Sequence, residues 1–301
     1  MRKHIQLIAL ILLFGSESVY SQTTEVLRQR IQQIIQSKDA VVGISIAGMN
    51  GDDTLTFNGE KHVPMQSVFK LPIALAMLSE IDKGRFSLDQ PIKIKKEELL
   101  PGLWSPIREK YPEGATLTIA EILEYTVSLS DNAGCDILLK LLEKPEVVEH
   151  YFTDLGFKDI SIKINEETMQ GNWDSQFRNW ITPKESHRIL QAFFENKNNL
   201  LSQKSYDFIW NILKSTQTGQ LRLRGQLPQE TVVAHKTGTS GEHKKTGVTA
   251  AVNDIGVVFL PNGDFFYISV FVTDSKENFE TIEKIISDVA KASWDYFLSK
   301  Q

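Results

Sequence analysis

Cysteine is almost missing from this chain of 301 residues: Cys135 stands alone, so no internal disulfide is possible and stability has to come from packing. Long apolar runs are missing too. The stretch from Ile5 to Gly15 falls well short of the ~20 residues that a bilayer span requires. No block of like charge occurs, and a net charge of −5 gives no footprint for nucleic acid or an anionic membrane. The six histidines, at 4, 62, 150, 187, 235 and 243, show neither H-x-H nor H-E-x-x-H spacing. No catalytic metal site is therefore expected, and no organic cofactor is implied. His235, on an apolar stretch beside Lys236, reads as a packed strand residue rather than a base. Internal repeats and low-complexity tracts are absent.

What is present is ordinary globular composition, 41% hydrophobic and 24% charged, enough to bury a core without staples. Met1-Arg2-Lys3-His4 is a basic head, followed by the Ile5–Gly15 run and by Val19-Tyr20-Ser21, which ends in a small residue. This order reads as a secretory signal over residues 1–21, without a cysteine for lipid attachment. The expectation is one mature domain over 22–301, secreted or periplasmic, monomeric and without stable membrane association.

Periodicity predicts an N-terminal helix over 24–38, then strands at Val41–Ile46 and Thr54–Phe57 joined by the turn Asn50-Gly51-Asp52-Asp53. From Ser67 to about Ser215 the pattern is almost wholly helical, clearest at Leu71–Ile81, Ile119–Val127, Ala133–Leu142, Pro145–Leu155 and Pro183–Phe194. Strands return at Thr231–Lys236, Thr246–Val252, Ile255–Leu260 and Phe265–Thr273, before a last helix at about Asn278–Leu298. The expected fold is α+β and two-lobed. An antiparallel sheet flanked by helices comes from about 22–65 and 216–301, and an all-helical lobe from about 66–215.

Three short motifs fall where these lobes would meet. Ser67-Val68-Phe69-Lys70 is the only S-x-x-K of the chain, and Ser130-Asp131-Asn132 the only S-D-N. K-T-G occurs twice, at Lys236-Thr237-Gly238 and Lys245-Thr246-Gly247. The first copy follows the apolar Val232-Val233-Ala234, whereas the second follows the polar run Gly241-Glu242-His243-Lys244, so Lys236 is taken as the functional one. A serine hydroxyl is a weak nucleophile near neutrality, and Lys70, one helical turn on, would put a base beside Ser67. Free backbone N–H groups at a helix start favour a developing anion. Ser130 offers a second hydroxyl to relay a proton, Asn132 an amide for a substrate carbonyl, and Lys236 a charge for a substrate carboxylate. Thr237 and Thr239 add hydroxyls on the same strand, and the backbone N–H groups of Thr239 and Ser67 could together bind an oxyanion. Taken singly, Ser67-x-x-Lys70 and Ser130-Asp131-Asn132 describe nothing more than capped helices.

With these residues the chain resembles the class A serine β-lactamases, whose signature is this set of three motifs in this order. The resemblance covers about residues 22–301 and extends to the order of helices and strands. It implies β-lactam substrates, an acyl-enzyme on Ser67, and a glutamate in the loop beyond S-D-N that activates the deacylating water. Glu166, in Asn165-Glu166-Glu167-Thr168-Met169-Gln170, matches that glutamate, with Glu167 the rival. Penicillin-binding peptidases and β-lactam sensor domains share the three motifs but lack that glutamate. The chain also departs from the family's usual pattern. Gln170 replaces an asparagine that helps hold the water, and Ile164 and Asn179 replace an arginine and an aspartate that tie the loop's neck. With Cys135-Asp136, these changes resemble the extended-spectrum branch typified by the PER and VEB enzymes. Thr246 stands where many members carry a carboxylate-binding arginine. Arg222 matches an alternative position, with Arg224 two residues away. Trp104, after Leu99-Leu100-Pro101-Gly102-Leu103, is placed to wall the cleft.

Overall fold

The computed structural model describes residues 23–51 and 53–300, so the expected signal at 1–21 lies outside the described residues. Chain order begins with helix α1 (Thr24–Ile35) and strands β1 (Val41–Gly48), β2 (Leu55–Phe57) and β3 (Val63–Pro64). Helix α2 (Lys70–Asp82), strand β4 (Pro91–Lys95), helix α3 (Pro106–Lys110), strand β5 (Gly114–Thr118), and helices α4 (Ile119–Ser128), α5 (Asn132–Leu141) and α6 (Pro145–Asp154) follow. Then come β6 (Ile160–Ser161), α7 (Glu166–Gly171), β7 (Trp180–Ile181), α8 (Pro183–Glu195) and α9 (Gln203–Lys214). Strands β8 (Val233–Thr239), β9 (Thr249–Phe259) and β10 (Phe265–Ser275) and helix α10 (Phe279–Leu298) complete the chain.

The main sheet is antiparallel throughout, in the order β2-β1-β10-β9-β8. Alternation along β10 explains why both of its faces are covered. Phe266, Ile268, Val270 and Val272 pack with Leu27 and Ile31 of α1 and Ile282, Ile285 and Val289 of α10. Tyr267 and Phe271, pointing the other way, join the core shared with α2, α4, α5, α8 and α9. Burying each such Leu or Ile is worth about 1.5–3 kcal/mol, so the sheet is held from both sides.

Two expectations needed correction. Thr246–Val252 and Ile255–Leu260 are one strand, β9, which runs unbroken from Thr249 to Phe259. Asn253-Asp254 interrupts its apolar pattern, yet both side chains find partners inside, with only Asn253 Oδ1 left without one. Asn253 Nδ2 donates to the carbonyls of Pro64 and Met65 at 2.9 and 3.1 Å, and Asp254 meets His235. The middle of the chain is also less purely helical than its periodicity predicts: β4 and β5 pair with each other, and β3, β7 and β6 form a small sheet of their own. These strands are mostly too short to show a period of two. The β6–β7 pairing of Ile160 with Ile181 brings together the two ends of the segment that carries Glu166.

Candidate active site

Ser67 lies in a 3-10 turn, Gln66–Phe69, that runs directly into α2. Gln66, immediately before it, has φ 46°, a left-handed conformation that a non-glycine residue keeps only where its surroundings enforce it. The enforcement is visible: Gln66 Nε2 donates to Gln176 Oε1 at 2.7 Å, and the Met65 N–H donates to the Asn179 carbonyl at 3.0 Å. Asn253 clamps the preceding carbonyls from β9. The nucleophile segment is thus fixed by two elements far away in sequence.

Lys70, wholly buried at the start of α2, has its Nζ 2.8 Å from Ser67 Oγ, 3.0 Å from the Ser130 carbonyl, 2.5 Å from Asn132 Oδ1 and 2.7 Å from Glu166 Oε1. An ammonium has three N–H bonds, so these four oxygens cannot all accept from it at once. The Glu166 contact is close but off-angle for a hydrogen bond, and Oε1 remains without a hydrogen-bond partner. The arrangement suits a proton that moves. As an amine, Lys70 can accept from Ser67 Oγ–H while still donating to Asn132 and the Ser130 carbonyl.

Ser130 is the second left-handed non-glycine residue of the site, with φ 58°. Asp131 holds it there as the cap of α5: its carboxylate accepts from the N–H groups of Gly134 and Ile107 at 2.8 and 2.7 Å and from Ser105 Oγ. The simple capping role of S-D-N is therefore present, and it serves to aim the flanking residues. Trp104 leans on the same turn. Its carbonyl accepts from Asn132 N–H and its indole donates to the Leu129 carbonyl, each at 3.0 Å, while its ring is 54% exposed at the cleft.

Across the cleft, β8 places wholly buried Lys236 with Nζ 3.0 Å from Ser130 Oγ and 2.9 Å from the Thr237 carbonyl. Burial first, and then the nearby Lys70 charge, hold the Lys236 ammonium well below the usual lysine range, against the pull of Asp254 and Glu166. Gly238 allows the close approach: a Cβ there would stand 2.5 Å from the Met65 carbonyl and 3.3 Å from Ser67 N. Thr237 Oγ1 is 2.6 Å from Thr218 Oγ1, and Thr239 Oγ1 accepts from Arg222 at 2.7 Å. Arg222 is buried, unlike Arg224. It donates to the carbonyls of Gly238 and Asn253, each at 3.0 Å, and pairs with Glu283 of α10 at 3.1 Å. Of its five N–H bonds these contacts take four, leaving one on the nitrogen nearest Thr239.

The loop carrying Glu166 is locally regular. It comprises α7 and a 3-10 turn over Trp173–Arg178, each capped by an asparagine. Asn179 closes its neck without an ion pair: Oδ1 accepts from the N–H groups of Lys163 and Ile164, and Nδ2 donates to the Ile164 carbonyl at 2.8 Å. Asp136 of α5, which the sequence did not single out as a site residue, accepts from Glu166 N–H at 2.7 Å, Glu167 N–H at 3.0 Å and Asn165 Nδ2 at 3.1 Å. Burial pushes its carboxyl up to about 7 despite those bonds. The two adjacent glutamates separate cleanly. Glu166 is 2% exposed beside Lys70, whereas Glu167 faces solvent.

Ser67, Trp104, Ser130, Asn132, Glu166, Gln170, Arg222, Thr237 and Thr239 line one cleft of about 390 Å³, with Lys70 and Lys236 buried beneath its floor. A larger cavity of about 760 Å³ behind α5 and α7 contains none of the serines or lysines of the motifs. Among the described residues, no group of His, Cys, Asp and Glu is placed to hold a metal ion, and no helix is long and apolar enough to cross a membrane. Burial raises the Cys135 thiol well above the usual range, which leaves it unreactive.

Two serines and two lysines sharing protons under an open cleft define a serine acyl-transfer enzyme. Comparison with known proteins makes the class specific. A profile described as the β-lactamase enzyme family matches residues 26–297. Over 99% of both chains, the sequence is 53% identical to β-lactamase VEB-1 of Pseudomonas aeruginosa. It is 37% identical to the extended-spectrum β-lactamase PER-1 of the same organism, over 93% of this chain and 90% of that one. Among solved structures, TLA-1 extended-spectrum β-lactamase superposes with a TM-score of 0.89 at 45% identity, covering 92% of this chain and 100% of the other. A β-lactamase from Chitinophaga pinensis gives 0.86 at 48% identity, over 90% and 98%. The chain belongs to the class A β-lactamase family, in its PER- and VEB-like branch.

Proposed function

We propose that Ser67 is the nucleophile and Glu166 the deacylating base of a secreted serine β-lactamase, with Lys70, Ser130 and Lys236 moving the protons. The enzyme hydrolyses the β-lactam amide of penicillins and cephalosporins. The observation that carries this assignment is Lys70 Nζ, 2.8 Å from Ser67 Oγ and 2.7 Å from the buried Glu166 carboxylate. Either Lys70 or Glu166 through a water can take the Ser67 proton as Oγ attacks the lactam carbonyl. The N–H groups of Ser67 and Thr239, brought together by the bare Gly238, stabilise the oxyanion. The C–N bond then breaks. Ser130, held between Lys70 and Lys236, hands a proton to the departing ring nitrogen. Glu166, steadied by Asp136 and with Gln170 beside it at the cleft, takes a proton from the water that cleaves the ester.

Lys236 and the remaining Arg222 N–H bind the substrate carboxylate, Asn132 and Thr237 contact its polar groups, and Trp104 walls the opposite side. The relatives named extended-spectrum enzymes support the same breadth for this chain, and the pattern of residues 1–21 supports export.

Intact-protein mass spectrometry after mixing with a penicillin tests the assignment. Glu166→Ala acylates and holds the adduct, since losing a general base costs about 10²–10⁴-fold in the step it serves, while Glu167→Ala clears it as the wild type does. Rapid clearance by Glu166→Ala would overturn the role given to Glu166.

A further inference from the structure

Behind β8, on the side away from Ser130, lies a buried acid–base pair that the steps above do not use. His235 Nδ1 stands 2.9 and 3.0 Å from the two carboxylate oxygens of Asp254, and neither side chain reaches solvent. Asp254 also accepts from Leu223 N–H at 3.3 Å. His235 directly precedes Lys236, and Leu223 directly follows Arg222. One carboxylate therefore ties together the two backbone segments that present the cations of the cleft.

We infer that His235 and Asp254 are a positioning pair that fixes the placement of Lys236 and Arg222. This rests on reading those two cations as the carboxylate-binding groups. The strand geometry is made for the pair. Gly256 lies opposite His235 in the β8–β9 register, and a Cβ there would stand 2.3 Å from the Ala234 carbonyl and 2.8 Å from His235 Cβ. Only glycine lets β9 press this closely on His235. With the proton on Nδ1 the imidazole donates to Asp254.

Asp254 also acts on Lys236. Burial opposes its ammonium most, Lys70 on α2 and Arg222 oppose it further, and Asp254 on β9 and Glu166 on α7 favour it. Cys135 on α5 also faces Lys236, but its buried thiol is neutral. Glu166 is already committed to Lys70 at 2.7 Å, so Asp254 is the counter-charge that remains to Lys236.

The test is the pH profile of kcat and KM for a penicillin, with thermal melting alongside, for Asp254→Asn, His235→Leu, His235→Asn and Lys236→Ala. Asp254→Asn moves the alkaline limb of kcat/KM down by about one pH unit, a tenfold loss on that limb, and raises KM more than it lowers kcat. His235→Leu shifts the limb the same way. His235→Asn, whose amide nitrogen stands where Nδ1 stands, restores it. A merely structural pair would lower melting temperature without moving the limb. An Asp254→Asn enzyme that folds with the wild-type limb and KM overturns the inference. If that variant does not fold, equal limbs and KM values for His235→Leu and the wild type overturn it instead. Wild-type kcat/KM in Lys236→Ala would overturn the carboxylate-binding reading and this inference together, whereas loss there with no change in the pair's variants removes the inference alone.

Discussion

Lys236-Thr237-Gly238 and Lys245-Thr246-Gly247 spell the same three residues and occupy opposite environments. The first is strand backbone pressed against the nucleophile turn, with its lysine wholly buried against Ser130 Oγ. The second is an exposed turn just before β9, and its glycine has φ +69° with only the Glu242 side chain nearby. What makes K-T-G a catalytic motif is the surface its strand lies on. A lysine in water has an ordinary ammonium. The same lysine under a cleft is desolvated, flanked by Lys70 and able to share a proton with a serine.

The lysines should separate most. Lys236→Ala loses about 10²-fold or more in kcat/KM, because a buried relay and a substrate contact vanish together, whereas Lys245→Ala keeps the wild-type value. Steady-state hydrolysis of one penicillin and one cephalosporin decides this. The pH profile sharpens it: Lys236 is held well below the usual lysine range, so its charge is lost, as pH rises, before the ordinary lysine pKa of about 10.4 is reached, giving an alkaline limb there. A limb that survives in Lys236→Ala would break the comparison at its first residue.

How far the sequence could be read follows from the same contrast. The meeting of Ser67, Lys70, Ser130 and Lys236 was legible because each motif is local, and the apolar Val232-Val233-Ala234 marked the K-T-G that lies against Ser130. The helices of the middle block were legible from their period, to within a residue or two at α2, α4, α5, α6 and α8. Asp136, Asp254 and Glu283 were not, since their partners lie 30, 19 and 61 positions away and a lone carboxylate in a helix or strand carries no local mark. A signal for Asp254 did exist: the polar Asn253-Asp254 inside an otherwise apolar strand was read as a break, when such a pair in a buried strand demands partners. The neck of the Glu166 segment was predicted to lack an ion pair, and the Asn179 amide bonding there could not be foreseen from its letter alone.

The glycines come next. Gly238→Ala drives a methyl to 2.5 Å from the Met65 carbonyl, so β8 or the Ser67 turn has to move. Overpacking of this kind costs about 1–3 kcal/mol in stability, and here it also lowers kcat by displacing the nucleophile. Gly247→Ala meets no such neighbour. Its cost is the left-handed backbone, about 1–2 kcal/mol, with kcat/KM unchanged. Urea unfolding together with kinetics tells the two apart, because both lose stability and only one loses activity. Equal activities would mean that the close approach at Gly238 is not what assembles the cleft.

The threonines differ least. Thr237 Oγ1 shares a hydrogen bond of 2.6 Å with Thr218 inside the cleft, so Thr237→Val removes a hydroxyl that faces substrate while keeping its volume. A net hydrogen bond is worth about 1 kcal/mol, which corresponds to roughly a fivefold fall in kcat/KM. Thr237→Ser should recover most of it. Thr246 Oγ1 bonds His243 Nδ1 at 2.8 Å on the surface, and His243 in turn lies against Trp173, their ring centroids 4.7 Å apart. Removing that hydroxyl changes stability by about 0.5 kcal/mol or less, as exposed substitutions generally do. The consequence for catalysis turns on whether the hairpin is independent of the cleft. His243 and Trp173 line a second cavity of about 490 Å³ that adjoins the cleft at Gln66 and Gln170. If the hairpin merely borders that space, Thr246→Val turns over small penicillins at the wild-type rate. A fall matching that of Thr237→Val would show that the turn is coupled to the nucleophile through Gln66, and the two copies of K-T-G would then no longer be opposites.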